Sequence, residues 1–120
     1  MATAPSALIP VANGSEEIET VCIQDVLVRG GVNVTLAAVG GDEKNVVKMS
    51  RGLHIKADVS IDECVDKSFD LIVLPGGLPG ANHLRDSNPL IDMLRRQKES
   101  GKWYGAMCAA LLLSFIITSC

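Results

Sequence analysis

The sequence has few aromatic residues and no excess of positive charge. Aromatic residues make up 3% of the 120 residues, and the net charge at pH 7 is −3. Proteins that bind nucleic acids use basic surfaces and aromatic rings that stack on bases, so we expect no nucleic-acid partner. The same acidic balance gives no reason to expect attraction to an anionic membrane.

Cysteines and histidines are also few, and their spacing fits neither a metal site nor a redox pair. They are scattered singly along the chain, at Cys22, His54, Cys64, His83, Cys108 and Cys120. We therefore expect no metal ion and no cofactor. The first six residues lack the basic and apolar segments of a secretory signal, which favours free thiols in the cytoplasm, with nucleus or plastid left open.

One long apolar run is present, from residue 109 to residue 118. It is shorter than the roughly 20 residues that a membrane-spanning helix needs. We therefore expect a buried helix there and no membrane partner.

Strand-like and helix-like segments alternate along the chain. Strands are predicted at 7–12, 32–39, 46–49, 54–59, 71–74 and 103–107, and helices at 16–29, 61–65, 89–99 and from 108 onward. Ser15 is the expected cap of the first helix, whose inward stripe would be Ile18, Val21, Cys22, Val26 and Leu27. This alternation predicts an α/β domain over residues 1–120, a doubly wound parallel sheet with helices on both faces.

Three segments follow predicted strands and would therefore meet at one edge of the sheet, where such folds bind ligands. Cys108 is one of them, at a strand-to-helix turn between small residues, Gly105 and Ala109. Free N–H groups at a helix start favour a thiolate, so Cys108 is a candidate nucleophile. The alternative is that Cys108 is an ordinary buried apolar residue.

The second and third segments could serve this cysteine. Gly76 and Gly77 expose main-chain N–H groups that could stabilise an oxyanion or a thiolate, although a glycine pair also suits an ordinary loop. Glu19 is expected to turn toward the sheet edge, remain protonated there and relay a proton to sulfur. The alternative is that Glu16, Glu17 and Glu19 only favour the helix dipole.

These three segments together resemble the DJ-1/PfpI superfamily, and its plant members in particular. The matching stretches are Ile9 to Val21, Asp70 to Gly80 and Ala106 to Ala110, in the order of the family. The resemblance implies a flavodoxin-like fold and, commonly, a homodimer. It also implies glutathione-independent glyoxalase, deglycase, redox-sensing or chaperone-like activity.

The resemblance also assigns roles to individual residues. Cys108 matches the reactive cysteine of the family, and Glu19 matches the acid that hydrogen-bonds it. Gly77 and Ala109 match positions whose amides face the sulfur or an oxyanion. Arg51 matches a residue near the site and the dimer interface.

The sequence departs from the family at two points. PfpI-type proteases carry a histidine directly after the cysteine, where this chain has Ala109, so no peptidase activity is expected. Family domains are also longer and have a proline soon after the elbow, where this chain has an aliphatic run. We therefore expect a sheet that is incomplete at the C-terminus.

Three functions remain open on the sequence. In the first, Cys108 and Glu19 convert methylglyoxal or early glycation adducts without a cofactor. In the second, the chain is a redox sensor or chaperone-like stress protein through oxidation of Cys108. In the third, it is an inactive short form.

Overall fold

The main sheet is five-stranded and parallel in a computed structural model that describes residues 3–111. Its strands are β1 (Ser6–Ala12), β2 (Asn33–Val39), β5 (Val59–Ser60), β6 (Leu71–Leu74) and β7 (Trp103–Ala106). Their order across the sheet is β5-β2-β1-β6-β7. The predicted parallel α/β sheet is therefore confirmed.

A separate antiparallel hairpin lies beside this sheet. It consists of β3 (Val46–Lys48) and β4 (His54–Lys56). The helices are α1 (Glu17–Arg29), α2 (Leu78–Arg85) and α3 (Asn88–Glu99), with short 3₁₀ turns at Ile61–Cys64 and Cys108–Leu111. Within residues 3–111, no helix is both long and apolar enough to cross a bilayer.

Two apolar cores cover the two faces of the sheet. On one face, Leu8 and Ile72 pack with buried residues of α2 and α3, such as Leu84 and Leu94. On the other face, Ile9, Val11 and Leu36 pack with the hairpin and with half-buried residues of α1. Alternate residues of β1 thus serve opposite cores, as the alternation of side chains along a strand requires.

The chain reverses its direction of winding at β1. It passes from β1 to β2 on one side and later returns to β6 on the other side, where Ala7 pairs with Leu71. The gap between the carboxyl ends of β1 and β6 is therefore the switch point at which doubly wound sheets bind ligands. Loops from both strands meet at this gap.

Helix α1 differs from its prediction in its cap and in its orientation. Glu16, not Ser15, caps the helix, since its carboxylate accepts the Glu19 N–H at 2.8 Å. Ser15 is buried instead, and its hydroxyl accepts the Ala12 N–H at 3.0 Å. Of the predicted inward stripe, Ile18, Val21, Cys22 and Val26 are exposed and Leu27 is half-buried, so the prediction of an inward core face is wrong.

Two further elements near the site differ from their predictions. Helix α2 lies in a stretch for which the sequence predicts no helix. The helix expected to begin at Cys108 is, over the described residues, the 3₁₀ turn Cys108–Leu111. The rest of the expected helix, residues 112–118, lies outside the residues that the structure describes.

Candidate active site

The first turn of α1 is attached to the loop that follows β6. The Gly76 N–H donates to Oε1 of Glu19 at 2.9 Å, and the Gly76 carbonyl accepts the Glu16 N–H at 2.9 Å. Both hydrogen bonds join segments that lie far apart in the sequence. They hold the Glu19 carboxylate against the loop after β6, near the carboxyl ends of β1 and β6.

Cys108 approaches the same gap from β7. Pairing of β7 with β6 ends at Leu74 and Ala106, and the Met107 N–H then donates to the Leu74 carbonyl at 3.0 Å. The Cys108 backbone has a φ of 48°, a left-handed conformation that non-glycine residues rarely adopt. The elbow expected at Cys108 is therefore a real bend in the chain.

Glu19 and Cys108 both lie close to Gly76. A Cβ atom at Gly76 would lie 2.5 Å from Oε1 of Glu19 and 2.8 Å from Cβ of Cys108. Carbon atoms do not approach that closely without displacement. Only glycine at this position leaves room for Glu19 and Cys108 side by side.

The Cys108 thiol holds its proton more tightly than a free cysteine does. Hydrogen bonding with the Glu19 carboxylate and the charge of Glu19 raise the pKa of Cys108, with smaller effects from lost hydration and from Glu16. A negative charge beside the sulfur disfavours a second negative charge on it. The low-pKa thiolate expected from a helix N-terminus is therefore absent, because the 3₁₀ turn is short and the nearest charged group is an anion.

The three main-chain amides predicted to stabilise a thiolate or an oxyanion differ in their present partners. The Gly76 N–H bonds to Glu19 and so fixes the acid rather than the sulfur. Among the residues that the structure describes, no acceptor is found for the Gly77 N–H, and Gly77 has a left-handed φ of 94°. Ala109 follows Cys108 in the 3₁₀ turn, so its amide is adjacent to the cysteine.

Arg51 lies in the exposed loop between β3 and β4, and Glu17 fixes this loop to α1. The Glu17 carboxylate accepts the Arg51 N–H at 2.7 Å, the Ser50 hydroxyl at 3.0 Å and the Leu53 N–H at 3.3 Å. The Arg51 guanidinium itself donates to the Ser50 carbonyl at 3.4 Å.

Lost hydration raises the pKa of Glu17, but hydrogen bonds from its own main-chain N–H and from Leu53, Ser50 and Arg51 outweigh this effect. They hold the pKa below its usual value. The sequence pattern does not reveal this role of Glu17, because its partners lie more than thirty residues away.

The other two described cysteines lie in different surroundings. Cys22 is exposed on α1, whereas Cys64 is buried, and its Sγ contacts the Ser60 carbonyl at 3.8 Å. Burial raises the pKa of Cys64. Cys108 is exposed and is the one of these three thiols that lies beside a carboxylate at the switch point.

Comparison with known sequences relates the chain to one family along most of its length. Residues 5–116 match the DJ-1/PfpI family. Protein DJ-1 homolog B of Arabidopsis thaliana is 50% identical over 111 residues, which are 92% of this chain and 25% of that protein. The glutathione-independent glyoxalase DJR-1.2 of Caenorhabditis elegans is 40% identical over 110 residues, 91% of this chain and 57% of that protein.

Comparison with solved structures identifies the same fold. The oxidized form of Toxoplasma gondii DJ-1 superposes with a TM-score of 0.89 and 42% identity, and the match covers 94% of this chain and 60% of that one. This chain thus spans between a quarter and three fifths of the length of these relatives. The match over residues 5–116 and the shared flavodoxin-like fold lead to one conclusion: the chain belongs to the DJ-1/PfpI family.

Proposed function

We propose that the chain is a cofactor-independent glyoxalase that converts methylglyoxal into lactate, with early glycation adducts as related substrates. The observation that carries this proposal is the placement of Glu19 and Cys108 around Gly76, at the switch point of the sheet. The name of the C. elegans relative, a glutathione-independent glyoxalase, supports the choice of reaction.

The raised pKa of Cys108 determines how the reaction begins. The thiol is protonated at neutral pH, so its proton must leave as sulfur attacks. The Glu19 carboxylate is the adjacent base that accepts it. Sulfur adds to the aldehyde carbon of methylglyoxal, and the proton is passed on to the aldehyde oxygen, which gives a hemithioacetal.

The second stage is an internal oxidation and reduction. Glu19 removes the proton from the former aldehyde carbon, and a proton is delivered to the neighbouring ketone carbon, while the hydroxyl proton on the first oxygen is transferred to the ketone oxygen. One carbon is oxidised and the other is reduced, so no external oxidant is needed. The product is a lactoyl thioester of Cys108, which water hydrolyses to lactate with recovery of the thiol.

Main-chain amides would stabilise the charge that develops on oxygen during these steps. The Gly77 N–H is the proposed donor, since no described residue accepts it. The Ala109 amide directly follows Cys108 in the 3₁₀ turn and could act with the Gly77 N–H. The Arg51 loop, which Glu17 holds against α1, would border the substrate or a partner subunit.

The test is lactate formation from methylglyoxal without glutathione, measured on the 120-residue chain. We expect lactate from the wild type and from Cys22→Ser, a matched change at an exposed cysteine outside the site. We expect none from Cys108→Ser. Lactate from a folded Cys108→Ser variant would rule out the mechanism, and a folded wild type that forms none would rule out the function.

Redox sensing through Cys108 is the second candidate function. It is favoured by the exposure of this thiol and by the Toxoplasma gondii relative, a DJ-1 whose solved structure is of the oxidized protein. Oxidation to a sulfinate would place negative oxygens near the Gly77 and Ala109 amides. The protonated thiol argues for slow oxidation, because the thiolate is the species that reacts with peroxide.

A second copy of the chain is the proposed partner. Helix α1 exposes four aliphatic side chains, Ile18, Val21, Val26 and Val28, of which Ile18 is 71% exposed. Such a surface is stabilised when another protein covers it. Sedimentation of the wild type and of Val21→Glu tests this, with a dimer expected only for the wild type.

The free thiols of Cys22, Cys64 and Cys108 support a reducing compartment, for which we propose the cytoplasm.

A further inference from the structure

A cleft lies at the amino ends of β6 and β7, at the end of the sheet opposite to Cys108. It has a volume of about 260 Å³ and is bordered by Phe69, just before β6, and by Lys102, just before β7. Cys108 follows the carboxyl end of β7, so the length of the strand separates the two sites. The cleft therefore serves no step of the proposed reaction.

The inner wall of this cleft is apolar. Phe69, Ile72 and Met93 contribute to it, and all three side chains belong to the core between the sheet and α3. Buried Gln97 fixes the wall, because its amide donates to the Phe69 carbonyl at 2.9 Å and to the Trp103 carbonyl at 3.0 Å. A short apolar group entering the cleft would remove hydrocarbon surface from water.

The rim of the cleft is cationic, although the chain as a whole is acidic. Lys67, Arg96 and Lys102 line it, and Asp66 is the one acid among its lining residues. We call these three cations the basic rim. Among residues 3–111, none of them forms an ion pair with a carboxylate.

Two members of the basic rim are already held in position. The Arg96 guanidinium donates to the Val65 carbonyl at 2.6 Å, and the Lys102 ammonium donates to the Ser68 hydroxyl. Cations fixed in this way lose less conformational entropy when an anion binds them. Their bonds to neutral groups leave the positive charge uncompensated.

The C-terminus of α3 does not account for this concentration of charge. Cations do favour helix C-termini. Here, however, the carbonyls of Arg96, Gln97 and Lys98 already accept N–H groups from Ser100, Lys102 and Gly101. Lys67 belongs to another segment, after the 3₁₀ turn Ile61–Cys64.

We propose that this cleft binds a small organic anion, with a carboxylate or phosphate head on the basic rim and a short apolar body against Phe69, Ile72 and Met93. Charge-assisted hydrogen bonds from arginine and lysine are the strongest that such a head group can make in water. The small volume restricts the body to about one ring or a short aliphatic chain.

Amide chemical shifts of the 120-residue chain test the proposal, with benzoate and phenyl phosphate as probes. We expect saturable shifts at Phe69, Gln97 and Ser100 with either anion, and the tighter of the two identifies the head group. Phenol, which has the ring but no charge, is expected to bind at least about tenfold more weakly.

Variants distinguish binding of the anion in the cleft from general electrostatic attraction of anions to the protein surface. We expect Arg96→Gln and Lys102→Gln each to lower the affinity for the anion about tenfold. Lys44→Gln, an exposed change in the turn before β3, is the matched control and should leave the affinity unchanged. Equal effects from all three variants, equal binding of phenol, or shifts confined to the Cys108 site would overturn the proposal.

Discussion

Glu19 and Gly76 are joined by a hydrogen bond of 2.9 Å, from the glycine N–H to a carboxylate oxygen. The bond links α1 to the loop after β6 across 57 positions of sequence. It decides which way the acid points, and Cys108 lies against the same side of this glycine, where a Cβ atom would project. The candidate site therefore depends on a residue that has no side chain.

Replacing Gly76 with alanine tests this dependence. The new methyl carbon would lie 2.5 Å from Oε1 of Glu19, so the acid must move away from the sulfur. We expect a loss of about 1–3 kcal/mol in the free energy of unfolding and a loss of lactate formation of about a hundredfold. Denaturant melts and the lactate assay measure the two effects.

The matched control for this change is Gly105→Ala, in β7. A Cβ atom at Gly105 would meet nothing within 4 Å. This variant should retain both stability and activity. A Gly76→Ala variant as active as Gly105→Ala would show that the close approach of Glu19 to Cys108 is unimportant.

Neutralising Glu19 should lower the pKa of Cys108. The hydrogen bonding and charge of Glu19 are the main causes that hold this pKa above its usual value. In Glu19→Gln the midpoint of thiol alkylation against pH should therefore move to lower pH. The measurement is the rate of iodoacetamide labelling of Cys108 in a Cys22→Ser background.

Glu17→Gln is the control for that experiment, since Glu17 is not among the groups that shift the Cys108 pKa. Its labelling profile should match that of the parent. An unchanged or higher midpoint in Glu19→Gln would show that the carboxylate does not act on the thiol.

The main strands of the sheet can be predicted from sequence because their signals are local. Leu71 to Leu74 is an uninterrupted aliphatic run, as expected for a parallel strand buried on both faces, and β6 has these bounds. The sequence also predicts that Cys108 and Glu19 lie close together, because each follows a strand whose carboxyl end reaches the same end of the sheet. Strands and their connections fix which parts of the chain meet.

The remaining features depend on contacts that sequence spacing does not encode. The aliphatic stripe of α1 has the spacing of a core face, yet Ile18 and Val21 are exposed, because periodicity indicates an apolar face without showing what packs against it. Helix α2 escapes prediction because Pro79 and Gly80 are poor helix formers in its short span. The raised pKa of Cys108 requires the position of Glu19.

Acid should loosen the loop that carries Arg51. The pKa of Glu17 is lower in the folded chain than its usual value, so its ionised form stabilises the fold above that usual value. This contribution is lost as the pH falls through the lower, folded pKa. The unfolding free energy of Glu17→Gln should therefore lie below that of the wild type at pH 7 and approach it at an acidic pH below the folded pKa of Glu17.

Denaturant melts at both pH values measure this convergence. Glu43→Gln, an exposed change in the nearby turn, controls for the loss of one surface charge. It should show no comparable difference from the wild type at pH 7. A Glu17→Gln deficit of equal size at both pH values would show that hydrogen bonding to the ionised group is not its cause.

Peroxide should oxidise Cys108 in preference to Cys64, because Cys64 is buried and Cys108 is exposed. Peptide mass spectrometry after mild treatment should find two added oxygens on Cys108. At neutral pH, Glu19→Gln should oxidise faster than the wild type, since its thiolate fraction is larger. Oxidation of Cys108 no faster than that of Cys64 would count against a sensing role.

The most direct test of the central claim is a double-mutant cycle on lactate formation from methylglyoxal, with Cys108→Ser, Glu19→Gln and the two combined. If sulfur and carboxylate act as one unit, each single change abolishes most of the activity, and the double variant is no worse than Cys108→Ser alone. Full activity in a folded Glu19→Gln protein, or losses that simply multiply in the double variant, would contradict the account.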